Sequence, residues 1–538
     1  MNLGPTLLLL AAGGVAMVGF GMIAWDSLDY WHWGDEDEKL VAAWMIASGG
    51  RLYDDIFAHH GPLNYALAHV VHALSGSIEL APYRAAQWTT VLLAALALAA
   101  SPLLEGALRR VAAASLFCLL VALLAPLWYG HTLLYHSLGG VAISIALCLL
   151  LLPLSFGLCP SRLQAAAGGA ALSAAVFAAY PFAVPVVLLT LAALLLVRSR
   201  GLAWRDVRGA LLAAAAGFGA GTLLMLLWLL RYGDVVGYAV YHLWFNQVVY
   251  AGFIDFEPGV ALRQLEKVFQ SPLGWVLQAI LLFWLALLLE ARAAMQGAHR
   301  LRWLWLPGGA VIFLVGILFL NPRGEVVFKN AALWIVGLAL ISLLICRAPA
   351  APGVAGAVRV LRVLAVLVAI AAPVYLAGIK GWSDVDGRYV TRAYAEKKHA
   401  GSAKRVRLAQ ALVPAGEPIL AVVFSPRWYL LIERLPSSGA YYYLPWQAAY
   451  NRAPVLGYRL DPCADLERAP PKLIVWDRWP VWDRYDVADY APCLVELMQR
   501  DYVAVSGTQF LLRKPVGDAD RALVAGFGAS LEPVTAGD

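Results

Sequence analysis

The chain has 538 residues, of which 61% are apolar and only 14% charged, with a mean hydropathy of +0.69. Soluble domains carry about 25% charged residues, so the composition excludes a soluble globular protein and gives a polytopic α-helical membrane protein. The net charge of +6 is modest and its Arg residues cluster in short loops between apolar runs, which speaks for membrane sidedness and against nucleic acid as a partner.

The first apolar run, Pro5 to Trp25, lacks a basic start and a small-residue cleavage site, and it is too long for a signal-peptide core. It reads as a retained span. A span needs roughly 20 apolar residues, and further runs lie at 86–105, 111–128, 138–158, 166–180, 182–197, 209–230, 273–291, 304–320, 331–346 and 360–378. The runs at 166–180 and 182–197 are separated by Pro181, so one kinked helix is the alternative to two short spans. Charge favours two, because Arg162 precedes the pair and Arg198, Arg200, Arg205 and Arg208 follow it, which puts both flanks on one side. The basic loops at 109–110, 162, 198–208, 292–302 and 347–362 then share that side. This predicts about eleven transmembrane helices with a cytoplasmic N-terminus. Segments 26–85, 129–137, 231–272 and 321–330, and the chain beyond 378, lie outside. Twenty Trp and 23 Tyr suit interfacial belts, and the Ala-, Leu- and Arg-rich usage suits a bacterial inner (cytoplasmic) membrane.

Residues 1–378 therefore form a transmembrane module, with 348–357 as a cytoplasmic Pro/Ala/Gly linker. Residues 379–515 change character. A helical run at 393–412 precedes a buried-strand run at 418–424, another strand at 472–476, a helix at 486–500 and strands near 502–505 and 509–512. Short apolar strands alternating with helices predict a small periplasmic α/β domain with a largely parallel sheet. Residues 516–538, rich in Gly, Ala and Asp, are expected to form a flexible tail. No Gly-rich phosphate loop and no internal repeat is present. Cys118, Cys148, Cys159 and Cys346 lie in or beside spans as small apolar groups. Cys463 and Cys493 are the two cysteines of the outer domain, where an oxidising setting predicts a disulfide; two separately buried thiols are the alternative.

The first outer loop carries the densest charge of the chain, Gly34-Asp35-Glu36-Asp37-Glu38. Leu40, Val41, Trp44, Met45 and Ala47 follow at helical spacing and Gly49-Gly50 stops the run, so 36–48 is expected to be an amphipathic interfacial helix. Two readings of the acids are open. Asp35 as N-cap with Glu38 at N3 approximates a capping box, and acids in a first turn complement the helix dipole. Alternatively, a helix end holds a carboxylate rigidly at the membrane surface as a general base for an acceptor hydroxyl.

The series Asp35-Glu36, Ala42-Ala43, Gly49-Gly50, Tyr53, Asp55, His60, Pro62 and Leu63 resembles the first outer loop of the GT-C membrane glycosyltransferases. It is most similar to the bacterial branch related to protein O-mannosyltransferases and aminoarabinose transferases. The order and spacing match: an Asp-Glu pair opening an interfacial helix, a Gly-terminated turn, Tyr-x-Asp, then His and Pro before a second helix. The span layout extends the likeness to residue 378, and the outer α/β domain is similar less specifically. Asp37 and Glu38 stand where aromatic or apolar residues are usual, and Gly61 where a second proline is common. The extra acids leave open which carboxylate is the base.

The resemblance implies an inverting transferase that moves a sugar from a polyprenyl-phosphate donor to a hydroxyl of a glycan, lipid or protein acceptor. It implies Asp35 as base, Glu36 as the next choice and Asp55 as a residue that orients the acceptor or shares the proton. Tyr53, His59 and His60 are candidate substrate contacts. No cofactor is required, and nothing indicates a metal, although a divalent ion would be compatible. Arg84, Arg323 and Lys329 are outer-side cations that run against the charge bias, so each calls for an anionic partner, either the donor phosphate or ordinary membrane lipid. His131, His136, Tyr241, His242, Asn246 and Tyr250 are further outer-face residues, most simply interfacial anchors.

Three other functions compete. A transporter or flippase places ionisable residues mid-span, whereas these span cores are almost free of charge. A polysaccharide polymerase or ligase with a diphosphate-linked donor relies on outer-loop Arg and His without an Asp-Glu helix start. The third is a non-catalytic member whose outer domain serves as a docking module, a reading that the presence of Asp35-Glu36 weakens.

Overall fold

The computed structural model describes residues 3–199, 204–254, 331–347 and 392–534, with a few isolated positions elsewhere. The expected runs at 273–291, 304–320 and 360–378 lie almost wholly outside the described residues. The chain divides into two compact units. One comprises 1–30, 83–225 and 255–391; the other comprises 31–82, 226–254 and 392–538.

The first unit is helical because its sequence is apolar over long stretches and a bilayer leaves backbone groups no partner but the helix itself. Helix α1 (Leu3–Ser27) leads, followed by Leu80–Ala99, Ala107–Leu124, Tyr135–Ala146, Arg162–Ala178, Ala183–Ser199, Trp204–Tyr232 and Ala331–Cys346. Among the described residues, four helical stretches are long and apolar enough to cross a membrane: Leu10–Ser27, Ala107–Leu124, Tyr135–Ser155 and Trp204–Tyr232. Val15, Val18, Met22 and Trp25 on α1 and Leu223, Leu224 and Leu227 on Trp204–Tyr232 are exposed, as lipid-facing side chains are. Helix Tyr135–Ala146 is buried along most of its length and continues through a π-turn at Leu147–Leu151 into Leu152–Ser155. Pro153 explains the widening, since its ring crowds the preceding turn and it has no N–H to give. Ahead of Pro181 the backbone leaves helical geometry at Ala179 (φ −160°, ψ 140°). The two apolar runs there are accordingly two helices.

Small residues let these helices touch. A Cβ on Gly169 would sit 1.9 Å from the Ala214 carbonyl oxygen, and one on Gly217 would sit 1.9 Å from that of Ala166. Reciprocal glycines thus bring Arg162–Ala178 and Trp204–Tyr232 into backbone contact, the usual packing device where lipid supplies no hydrophobic drive. A separate core forms around Trp88, Phe117, Trp128, Trp334 and Leu338.

The second unit is built on a five-stranded sheet: β1 (Leu420–Val422), β2 (Leu473–Trp476), β3 (Tyr502–Val505), β4 (Phe510–Arg513) and β5 (Leu531–Pro533), in the order β1-β2-β4-β3-β5. Only β1 and β2 pair in parallel; the other pairings are antiparallel. This corrects the expectation of a largely parallel sheet. The connection from Val505 to Phe510 turns at Gly507 (φ 69°) and is too short for a crossover, so β3 and β4 must form a hairpin. The expected loose tail is corrected as well. Residues Asp518–Gly526 form a helix that buries Val524, Lys472 pairs with Asp520 at 3.0 Å, and β5 covers the edge of β3. An open strand edge is a row of unpaired donors and acceptors, and the tail satisfies it.

Cys463 and Cys493 are bonded, joining helix Pro462–Arg468 to helix Pro492–Asp501 with Cα atoms 6.1 Å apart. Closing a loop of 30 residues removes chain entropy equivalent to about 3–4 kcal/mol. Cys463→Ser is therefore expected to lower the unfolding temperature of the purified protein. An unchanged temperature, or two titratable thiols in the untreated protein, would contradict this.

Candidate active site

Helix α2 (Gly34–Ala47) opens the second unit's polar centre. Its N-cap is Trp33 (φ −115°, ψ 130°), and no side chain caps it. The capping-box reading of Asp35 and Glu38 is thereby corrected: the helix starts earlier than that box requires, and the acids do other work. Gly34 is needed for space, since a Cβ there would come within 2.6 Å of the Phe424 ring from the C-terminal part of the unit.

The four acids separate by environment. Asp35 is half-buried, while Glu36, Asp37 and Glu38 are buried. Asp37 Oδ1 lies 2.7 Å from His32 Nδ1. Glu38 Oε2 accepts from Lys39 Nζ at 2.9 Å, and its other oxygen accepts from the Tyr65 hydroxyl of helix α3 (Pro62–Ser75). Lys39 Nζ also lies 2.8 Å from His60 Nδ1, and that nitrogen is 3.2 Å from Glu38 Oε1. Burial alone would raise the Glu38 carboxyl; Lys39 and His60 more than offset this and hold it well below the usual carboxylate range.

Three further segments of the unit close around this pair. The Tyr441 hydroxyl donates to the Glu38 backbone carbonyl at 3.0 Å, and the Tyr442 hydroxyl lies 3.3 Å from His59 Nδ1. His242 Nδ1 and Asn246 Nδ2 donate to the His59 carbonyl at 2.9 and 2.6 Å. Tyr53, buried and in the left-handed region at φ 67°, donates to the His60 carbonyl at 2.6 Å. Burial holds His59 well below the usual imidazole range, with His60 adding to the effect and Glu38 opposing it. Burial also lowers His242 to about 4, against the hydrogen bond to His59.

The sign of the pH effect follows from those histidines. A folded pKa below the unfolded value of about 6.5 gives stability that is complete above 6.5 and lost as pH falls through the folded value. For His242 this amounts to about 3 kcal/mol by pH 4. The parent protein is expected to lose thermal stability between pH 6.5 and 4, and His242→Gln to flatten that slope. Parallel pH profiles for the two proteins would contradict the assignment.

Asp55, in contrast, is exposed, and its carboxylate accepts the Arg51 backbone N–H at 2.9 Å, fastening the turn at 51–55. It does not join the network around Glu38. Arg84 belongs to the first unit and is fully buried; its Nη1 donates to the carbonyls of Ser27, Leu28 and Tyr30 at 3.2, 3.3 and 2.6 Å. A guanidinium at the C-terminal end of α1 complements the helix dipole and fixes the chain as it leaves. Arg323 and Lys329 lie outside the described residues. Lys39, Tyr65, Tyr441 and Tyr442 were not singled out from the sequence. Lys39 had a legible signal, as the lone cation after four consecutive acids at the start of an apolar helix; the tyrosines had none.

No protein-family model and no curated protein matches the sequence. Solved structures do. ArnT from Cupriavidus metallidurans bound to undecaprenyl phosphate is 16% identical, with a TM-score of 0.50 over 96% of this chain and 99% of that one. Archaeal oligosaccharyltransferase AglB from Archaeoglobus fulgidus, in complex with an inhibitory peptide and a dolichol-phosphate, is 13% identical, with a TM-score of 0.41 over 94% of this chain and 74% of that one. The first likeness runs nearly end to end on both chains, and at that identity it speaks to architecture alone: the chain shares the helical membrane-protein fold of ArnT.

Proposed function

We propose that the chain is an inverting glycosyltransferase that moves a sugar from a polyprenyl-phosphate donor to a hydroxyl of a periplasmic or lipid-linked acceptor. The observation that carries this reading is the sorting of four acids at one helix start. Asp37 and Glu38 are buried and engaged, Glu36 is buried, and Asp35 alone of the four keeps partial exposure. Asp35 is then the base. Its carboxylate takes the proton of the acceptor hydroxyl as that oxygen attacks the anomeric carbon. The bond from the anomeric carbon to the phosphate oxygen breaks, its electron pair leaves with the lipid phosphate, and a single displacement inverts the configuration.

The remaining residues take supporting roles. Glu36 is the second choice for the base. His60 keeps the role of substrate contact, with Tyr53 and His59 holding it in place, and Asp55 is left to its turn. The site faces the periplasm of a bacterial inner membrane, with about eleven spans in all. ArnT, which has this fold, was solved with undecaprenyl phosphate bound, and a lipid phosphate is the leaving group this reading requires. No cofactor is part of the proposal.

A departing dianion at the water–lipid boundary needs a fixed cation, which is worth more there than in bulk water. Arg323 and Lys329 are proposed for that duty. Arg323→Ala and Lys329→Ala are expected to weaken donor use and leave acceptor binding largely intact; unchanged donor kinetics in both would count against them. The function itself is tested by giving the reconstituted protein polyprenyl phosphate carrying radiolabelled hexose, deoxyhexose or aminopentose. Label is expected to move to an acceptor with inverted configuration while polyprenyl phosphate is released. Label that stays on the lipid with every donor would refute the reading.

A further inference from the structure

The network around Glu38 continues into a run of aromatic rings that the transfer step leaves unused. From His60, the rings of His59, Tyr250, Trp446 and Trp482 succeed one another at centroid distances of 4.1, 5.7, 5.0 and 4.6 Å. All five residues belong to the same compact unit as α2. The run ends in a loop, 477–486, whose sequence is Asp-Arg-Trp-Pro-Val-Trp-Asp-Arg-Tyr-Asp. That loop is folded back on itself by reciprocal backbone bonds between Val481 and Tyr485, at 2.9 and 3.1 Å.

The turn so formed puts Trp482 and Asp483 in the left-handed region, at φ 58° and 53°. L side chains rarely adopt that conformation, and glycine would adopt it without strain. Residues held in that conformation cluster at active sites and ligand clamps. Trp482 is partly buried, Asp483 is exposed, and Trp479 on the same loop is 37% exposed. Behind Trp482, the indole N–H of buried Trp446 has no hydrogen-bond partner.

Aromatic faces beside carboxylates fit a sugar ring. The C–H face of a pyranose lies flat on a ring's π-face, while hydroxyls around its rim donate to carboxylates. A bilayer surface is the competing occupant. It attracts segments with excess Lys and Arg, whereas this loop has three Asp and two Arg, and its exposed acids would be driven into the headgroup layer. The charge balance therefore favours the sugar.

We infer that Trp482, backed by Trp446 and carried on one loop with Trp479 and Asp483, binds a pyranose ring of the acceptor, which makes the acceptor a glycan. The inference rests on the transfer reading for the word acceptor and on the ring geometry for the binding site. The test is saturation-transfer NMR on the full-length protein in nanodiscs. The probe is a pool of methyl pyranosides and short oligosaccharides of glucose, galactose, mannose and N-acetylglucosamine. Saturation is expected at pyranose C–H protons, weakened by roughly 5-fold or more in Trp482→Ala and largely kept in Trp482→Phe, which preserves a ring. Trp479→Ala, at an exposed position where folding is not at stake, is expected to weaken it too.

No saturation of any sugar, or equal saturation from the parent and both alanine variants, would overturn the inference. So would quenching by brominated lipid that is lost in Trp479→Ala, which would assign the loop to the bilayer. Donor consumption is read separately. Ring-dependent sugar binding without consumption of any polyprenyl-phosphate sugar would leave the site standing and refute the transfer reading, and the opposite pair of results would do the reverse.

Discussion

Asp35→Asn is expected to reduce sugar transfer by at least about 100-fold while the protein still inserts and folds. The amide keeps the volume and the hydrogen-bonding reach of the acid but cannot accept the acceptor's proton. Because α2 has no side-chain cap, removal of the charge takes away no capping bond. Glu36→Gln separates this assignment from its neighbour. Glu36 is buried, so its loss is expected to show in stability before turnover. If Asp35→Asn retains near-full transfer and Glu36→Gln does not, the base is the adjacent residue. If both variants and the double variant remain active, the chemistry lies elsewhere. Expression level and unfolding temperature, measured beside activity, keep a folding defect from passing as a catalytic one.

Lys39→Met is expected to have the largest effect on stability. Lys39 and Glu38 are fully buried and 2.9 Å apart, and methionine replaces the lysine stem at similar volume. Removing one partner of a buried pair strands the other charge and typically costs about 3–5 kcal/mol. Glu38 can escape part of that cost by taking up a proton, because burial raises its carboxyl once Lys39 is gone. The loss is therefore expected to be larger at pH 8 than at pH 5. Glu38→Gln combined with Lys39→Met leaves no stranded charge, and most of the stability is expected to return. Unfolding temperature across that double-mutant cycle is the measurement. Additive losses would mean the two side chains are not a pair.

Much of this architecture is legible because a bilayer imposes a coarse rule. Helices at Leu3–Ser27, Ala107–Leu124 and Trp204–Tyr232 follow from unbroken apolar runs, and Arg bias around 162 and 198–208 separates the helices on either side of Pro181. The acidic helix is legible in place but not in register. Asp35 followed by Glu38 satisfies the capping pattern, yet the fold caps with Trp33 and spends Glu38 on Lys39 and Tyr65, a choice made by tertiary neighbours. Tyr441 and Tyr442 reach the site from the far end of the chain, and no local pattern marks such a partner. The last strand, Leu531–Pro533, is short and ends in proline, so only the edge it covers gives it away. Arg84 shows a second kind of partner that local sequence does not mark: the end of a helix, with its unpaired carbonyls, attracts a guanidinium as an anion does.

The central claim, a monophosphate polyprenyl donor used at the start of α2, is tested most directly by the lipid that the blocked enzyme retains. Asp35→Asn protein, purified in mild detergent and extracted for mass spectrometry, is expected to carry polyprenyl phosphate bearing one sugar, at a higher level than the parent. A polyprenyl diphosphate-linked glycan in its place, or bulk phospholipid alone in both proteins, would contradict the account.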